Sequence, residues 1–209
     1  DPQRFQIFVK KLTINVSEFF RNPECYFYLW EKVIPELLQE NPNLKIWSAG
    51  CATGAEPYSV AIILKELAVL DGADILATDI DGQVLQRARE GVYSPNEVKS
   101  LPQELRERYF REEAGFYHLR PEIKNRVNFR RHNLLLDPFP IGLDLILCRN
   151  VVIYFTEEAK GELYYKFHRS LREGGYLLVG GTEPLLSYKQ LGFETVRYSF
   201  YKKVAAAKP

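Results

Sequence analysis

The stretch from Ile46 to Tyr58, read as I-W-S-A-G-C-A-T-G-A-E-P-Y, constrains this chain more than any other. A short apolar run ends in a turn of small residues that holds Gly50 and Gly54, followed by Glu56-Pro57 and a helical pattern. This is a strand–turn–helix junction suited to close approach of the backbone to a ligand, because glycine turns tightly and removes a side chain that would block contact. Two phosphate-binding patterns fail. A dinucleotide fingerprint needs glycines at Ser48 and Thr53 as well as at Gly50. A P-loop needs Gly-Lys-Ser/Thr, but Ala55 and Glu56 follow Gly54. A carboxylate at the mouth of the turn repels phosphate and suits a ligand with hydroxyls, an ammonium or a sulfonium, which points to S-adenosylmethionine (SAM).

The rest of the chain fits that frame. Its 209 residues make one sizeable domain plus a small appendage. A net charge of +1 gives no field for a nucleic-acid or membrane partner. No apolar run reaches the roughly 18 to 20 residues of a membrane span, and no signal peptide is visible. The three cysteines, Cys25, Cys51 and Cys148, are scattered and form no C-x-x-C pair. That argues against a disulfide framework or a zinc site and for a reducing cytoplasm. His118, His132 and His168 lack ligand spacing, so no metal site is expected.

Residues 1–41 read as helical, with Ser17 as a cap ahead of Glu18 and Asn22-Pro23 as a break before a second helix. The Asn41-Pro42-Asn43 cluster closes this part, and 42–209 is expected to form the second domain. Strands are predicted over 45–49, 73–78, 127–131, 143–148 and 175–180. An amphipathic helix falls over 57–70, further helices begin at 82 and span 156–172, and 193–203 alternates, with a partner strand expected inside it. Between about 91 and 125 Pro95, Pro102 and Pro121 break the rhythm, and an insertion of two short helices and a small strand pair is expected. Alternation of this kind builds an α/β, mostly parallel sheet with helices on both faces, binding ligands at the carboxyl ends of its strands.

The polar residues of interest follow those strands. Glu56 follows the first; it is either a ligand acid or an acid favoured by the helix dipole. Asp79 ends the second, at the distance from the glycine turn where an acid reaches ribose hydroxyls; the other reading is a helix cap beside Asp81. Asn133 follows the third and could equally close a turn. Arg149-Asn150 ends the fourth. Cys51 and Cys148 read as small buried fillers.

Together these residues resemble a family. S-A-G-C-A-T-G-A-E-P-Y-S, A-T-D-I-D, R-H-N-L-L, C-R-N-V-V-I-Y-F and, near the amino end, N-V-S-E-F-F-R look like the chemotaxis receptor methyltransferases of the CheR type, over Asn15 to Glu183. That family transfers a methyl group from SAM to glutamate side chains on the cytoplasmic helices of chemoreceptors. The resemblance implies a Rossmann-like SAM-dependent methyltransferase sheet, a small helical amino-terminal domain (here shorter than the family's) and a β-rich insertion. It implies amino-terminal SAM contacts at Asn15, Ser17 and Arg21, a cofactor turn at Gly50, and cofactor acids at Glu56 and Asp79, with Asp79 on the ribose. Asn133 and Leu134 match the adenine side, and Arg149 and Asn150 the next strand end. Arg21 and Tyr154 match the residues nearest the transferred methyl and the substrate carboxylate. Gly181-Thr182-Glu183 departs from the histidine and serine that often precede the glutamate, so no role is carried over there. The implied partner is the cytoplasmic domain of a methyl-accepting chemoreceptor, without membrane insertion or nucleic acid. The short link from Arg111 to Gly115 argues against a grip on a receptor's carboxyl-terminal pentapeptide.

A glutamate carboxylate, with a pKa of about 4.3, is already ionised at neutral pH and needs neither base nor metal to act as nucleophile. Two other classes compete. A non-catalytic SAM-responsive binding module would bind the cofactor without transferring its methyl. An amino-methylating nucleic-acid enzyme would carry Asn/Asp-Pro-Pro-Tyr at the fourth strand end, where this chain has Arg149-Asn150-Val151-Val152.

Overall fold

The computed structural model describes residues 17–185 and 188–204. Asn15 lies outside them. Ser17 and Glu18 are irregular and Phe19-Phe20 form a turn, so Ser17 caps no helix at Glu18, contrary to expectation. The turn is set by tertiary bonds instead. The Phe19 amide donates to the Glu97 carbonyl at 2.8 Å. The amide of Phe20, at φ +52°, donates to Ser59 Oγ at 3.1 Å. Both rings are fully buried.

Helix α1 (Pro23–Tyr28) starts on a proline at its first position, where the missing N–H costs nothing. A π-helical turn (Leu29–Val33) joins it to α2 (Ile34–Glu40), which ends at the extended Asn41. Then come β1 (Lys45–Ala49), α3 (Ala55–Glu66), β2 (Asp74–Asp79) and α4 (Gly82–Glu90). The insertion holds β3 (Val92–Tyr93), α5 (Pro95–Val98), α6 (Gln103–Tyr109), β4 (Phe110–Glu113), β5 (Phe116–Leu119) and α7 (Pro121–Lys124). Its strands form a three-stranded antiparallel sheet in the order β3-β5-β4, one strand more than expected. Ala114 and Gly115, both at positive φ, make the β4–β5 turn. The chain continues through β6 (Val127–Arg131), β7 (Leu143–Cys148), a 3₁₀ turn (Val152–Tyr154), α8 (Glu157–Ser170) and β8 (Leu171–Val179). It closes with an antiparallel pair, β9 (Phe193–Arg197) and β10 (Phe200–Lys203).

The main sheet has seven strands in the order β6-β2-β1-β7-β8-β10-β9. From β6 to β8 neighbours run parallel, and β10 is antiparallel to β8. This is the expected α/β fold. Strand alternation splits the core into two layers. Ile46, Leu145 and Leu147 face one cluster, whereas Trp47, Ala49, Ile146 and Cys148 face the other. Helix α3 was expected to be amphipathic, but Ala55 and Pro57 through Leu64 are all buried. The sheet covers one side of it. Phe19, Phe20, Tyr26 and Leu29 of the amino-terminal segment join the same cluster as Val60 and Ile63. From β1 the chain moves outward to β2 and β6, then returns to β7 on the other flank. The switch point therefore lies between the carboxyl ends of β1 and β7, where such sheets bind ligands.

Candidate functional site

The glycine turn after β1 is fixed from the neighbouring strand. The amides of Gly50 and Cys51 both donate to the Thr78 carbonyl, at 2.8 and 2.9 Å. Gly50 (φ +84°) leaves room for Val151, because a Cβ there would lie 2.4 Å from Val151 Cγ2. Gly54 (φ +87°) lets α3 start against Ala88 and Phe129. The two glycines thus serve the close packing of the β1 turn on the β7 turn and on α4.

Two acids stand on this edge. Ser48 Oγ donates to Glu56 Oε1 at 2.7 Å. Glu56 is half-buried. Burial pushes its carboxyl above the ordinary range, and the nearby Arg149 guanidinium only partly offsets this. Asp79 accepts from the Ala52 amide at 2.9 Å and from the Asp81 amide at 3.0 Å. Burial raises its pKa as well, against those two bonds. The helix cap is Asp81, whose Oδ1 accepts from the Gln83 amide at 2.8 Å, so Asp79 is not the cap of α4. Glu56 and Asp79 place two carboxyl groups on one edge, which suits a cation and hydroxyls.

Asn133 closes a turn: its Oδ1 accepts from the Leu135 amide at 3.0 Å, and its own amide donates to Asp137 Oδ2 at 2.8 Å. Leu134 is buried in the Trp47 cluster. Exposed Ile80 and Leu135 give the β2 and β6 ends of the rim an apolar surface.

Arg149 is 8 % exposed and reaches back across the chain. It donates to Tyr26 Oη at 3.2 Å, the Arg21 carbonyl at 2.8 Å and Asn22 Oδ1 at 2.9 Å. Its guanidinium also lies over the Tyr26 ring, 5.4 Å from the centroid. Burial opposes its charge, but Tyr26, Glu56 and Cys25 outweigh that and raise its pKa. Its buried Nε has no protein acceptor. Half-buried Arg21 is thus tied by its main chain to the end of β7, and its charge reaches Glu56.

Asn150 takes a left-handed backbone (φ +59°). Its amide donates to Glu183 Oε2 at 2.6 Å. Tyr154 closes the 3₁₀ turn that follows. Sequence reasoning missed Glu183, as well as Ser48, Asn22 and Tyr26 as partners of the site. A glutamate two residues beyond a Gly-Gly strand end was the available signal for Glu183. Burial pushes the Cys51 and Cys148 thiols well above their ordinary range, as expected of fillers rather than nucleophiles. Among the described residues no group of three or more His, Cys, Asp and Glu could hold a metal ion. Nor is any helix among them long and apolar enough to cross a membrane.

The strand ends therefore bring Gly50, Glu56, Asp79, Arg149 and Asn150 to one edge of the sheet, with Arg21 tied to it through Arg149, Asn133 and Leu134 following β6, and the turn that ends at Tyr154 following β7. The set fits SAM. Its half-buried acids lack full neutralisation, which suits an ammonium and a sulfonium.

Residues 15–201 match the family model described as CheR methyltransferase, SAM binding domain. The chain is 43% identical over 197 residues to a chemotaxis protein methyltransferase of Listeria innocua serovar 6a, covering 94% of this chain and 75% of that protein. It is 36% identical over 207 residues to one from Borreliella burgdorferi, covering 93% and 72%. A TehB-like SAM-dependent methyltransferase from Corynebacterium glutamicum superposes with a TM-score of 0.47 at 15% identity, over 86% of this chain and 94% of that one.

Proposed function

This chain belongs to the CheR methyltransferase family, and from that premise we propose that it methylates glutamate side-chain carboxylates on the cytoplasmic helices of chemotaxis receptors, using SAM. The observation that carries the proposal is the joint placement of two under-neutralised acids, Glu56 and Asp79, and a buried arginine, Arg149, at the switch point. The relatives named as chemotaxis protein methyltransferases support the same reading. It places the enzyme in the cytoplasm, acting on a receptor's cytoplasmic domain, with 1–41 and 42–209 as its two parts and about 91–125 as an insertion.

Each residue has a physical task. SAM, when bound, supplies a methyl group made electrophilic by its sulfonium. Glu56 and the segment Ser17–Arg21 hold its amino-acid end, and Asn15, outside the described residues, belongs to the same contact set. Asp79 keeps lone pairs free for the ribose hydroxyls beyond its two amide bonds. Asn133 and Leu134 flank the adenine side. Arg149 and Asn150 close the floor at the next strand end, and Gly50 keeps the two turns close enough to form it. The incoming glutamate is ionised at neutral pH, so the protein's work is orientation and exclusion of water. Arg21 and Tyr154 orient that carboxylate, Arg21 through a charge-assisted grip.

The test is tritium transfer from methyl-labelled SAM to a receptor cytoplasmic fragment, followed by base treatment. Base-labile label released as methanol is expected from wild type. Arg21→Ala and Tyr154→Phe should cut transfer about tenfold or more while leaving thermal unfolding near wild type. SAM binding by calorimetry without any transfer would overturn the reading and leave a non-catalytic SAM-responsive module.

A further inference from the structure

We propose that Glu183 is a positioning residue for methyl transfer: its carboxylate seats the turn that follows β7 and carries Asn150 and Tyr154. The activity arm of this inference rests on the glutamate-methylation reading; the geometric arm does not. Glu183 is 5 % exposed. Its Oε2 accepts from the Asn150 amide at 2.6 Å and the Gly180 amide at 3.0 Å, and its Oε1 accepts from the Ile153 amide at 3.1 Å. One side chain thus ties the carboxyl ends of β7 and β8 together.

Three features say that the seat is built for a carboxylate. Both oxygens face only donors, which an ionised acid satisfies and an amide cannot, because its NH₂ would oppose an N–H. Asn150 takes a left-handed conformation, which asparagine adopts more readily than other non-glycine residues, and Glu183 holds it there through its amide. Gly180 is the third. A Cβ there would lie 2.2 Å from Glu183 Oε2 and 3.0 Å from the Asn150 amide nitrogen, so the absence of a side chain at 180 makes room for the acid. The same charge reaches Glu56 and raises its pKa, which places Glu183 within the electrostatic field of the site.

Two variants perturb the seat differently. Glu183→Gln removes the charge and mismatches one donor. Gly180→Ala keeps the charge and displaces the carboxylate. Both are followed by thermal unfolding, by hydrogen exchange of the Asn150 and Ile153 amides, and by kcat and KM for a receptor fragment. Each folded variant should exchange those amides about tenfold faster or more. Each should also lose about a hundredfold in kcat, while KM for the receptor fragment changes less than about threefold. The double variant should lose no more than the worse single one, because both act through the same carboxylate. Wild-type kcat in a folded variant, unchanged exchange at both amides, or additive losses would each overturn the proposal. If Glu183→Gln does not fold, Gly180→Ala alone decides. If wild type binds SAM yet methylates no receptor fragment, the glutamate reading fails and amide exchange still judges the seat.

Discussion

The Glu56 carboxylate sits where burial works against its charge, and its pKa lies above the ordinary 4.5. The folded state favours the protonated acid, so this group's contribution to stability is complete below the unfolded pKa and is lost as pH rises through the folded one. Glu56→Gln removes that loss. In the absence of ligand the variant should melt above wild type at pH 7 and close to it at pH 4. It should also bind SAM more weakly by calorimetry, since the missing charge is the one suited to a cation. A variant that melts below wild type at pH 7 would show that Glu56 is held by its ion pairs rather than opposed by burial. The positions of the acids were legible in the sequence because Glu56 follows β1 across a small-residue turn and Asp79 ends an apolar strand. The partners of Arg149 were not. Tyr26 lies 123 residues away and Asn22 lies 127, and no local pattern encodes such a distance. Asn133 left two readings open, and its side-chain oxygen is engaged in the turn.

At the scale of elements, the two turns that meet at the switch point interlock through Gly50 and Val151. A side chain at 50 would meet both a left-handed backbone and a wall. The backbone conformation costs about 1–2 kcal/mol and overpacking about 1–3 kcal/mol more. Gly50→Ala should therefore lose roughly 2–5 kcal/mol in urea unfolding. Gly115 also has positive φ, but a Cβ there meets nothing. Gly115→Ala should lose only about 1–2 kcal/mol. Adding Val151→Ala to Gly50→Ala should recover part of the difference, and equal losses at 50 and 115 would rule out the interlock. The positions of β1, β2, β6 and β7 were legible from runs ending at or just before Gly, Asp or Asn, whereas β8 begins at Leu171, four residues before the expected start and inside the expected helix. The character of α3 was not, because its second covering layer comes from residues before the Asn41-Pro42-Asn43 break. The first strand of the insertion is two residues long, too short to show a period.

At the scale of the molecule, the proposed boundary after residue 41 is a boundary of pattern that the apolar core crosses. Phe19, Phe20, Tyr26, Leu29, Val33, Ile34 and Leu37 share one cluster with Ile46, Val60 and Ile63. Polar ties cross it too. Asn41 Nδ2 donates to Asp144 Oδ2 at 3.0 Å. Lys202 and Tyr176 both donate to Glu36, at 2.6 and 2.8 Å. Calorimetry should therefore give one cooperative transition whose van't Hoff and calorimetric enthalpies agree, and Phe20→Ala should move the whole of it down. Two resolved transitions would mean that the amino-terminal helices unfold on their own. The fold class was readable from the alternation of strands and helices, whereas this shared core was not, since a Pro-Asn cluster looks the same whether or not the flanking helices fold back.

The guanidinium that grips Arg21 and Asn22 from the end of β7 has a practical consequence for anyone exchanging parts between such enzymes. A chimera spliced at Pro42 would give the sheet a foreign amino-terminal segment and leave Arg149 facing residues chosen for another protein. The transferable unit begins no later than Phe19, and grafts should travel with their own tyrosine–arginine pair.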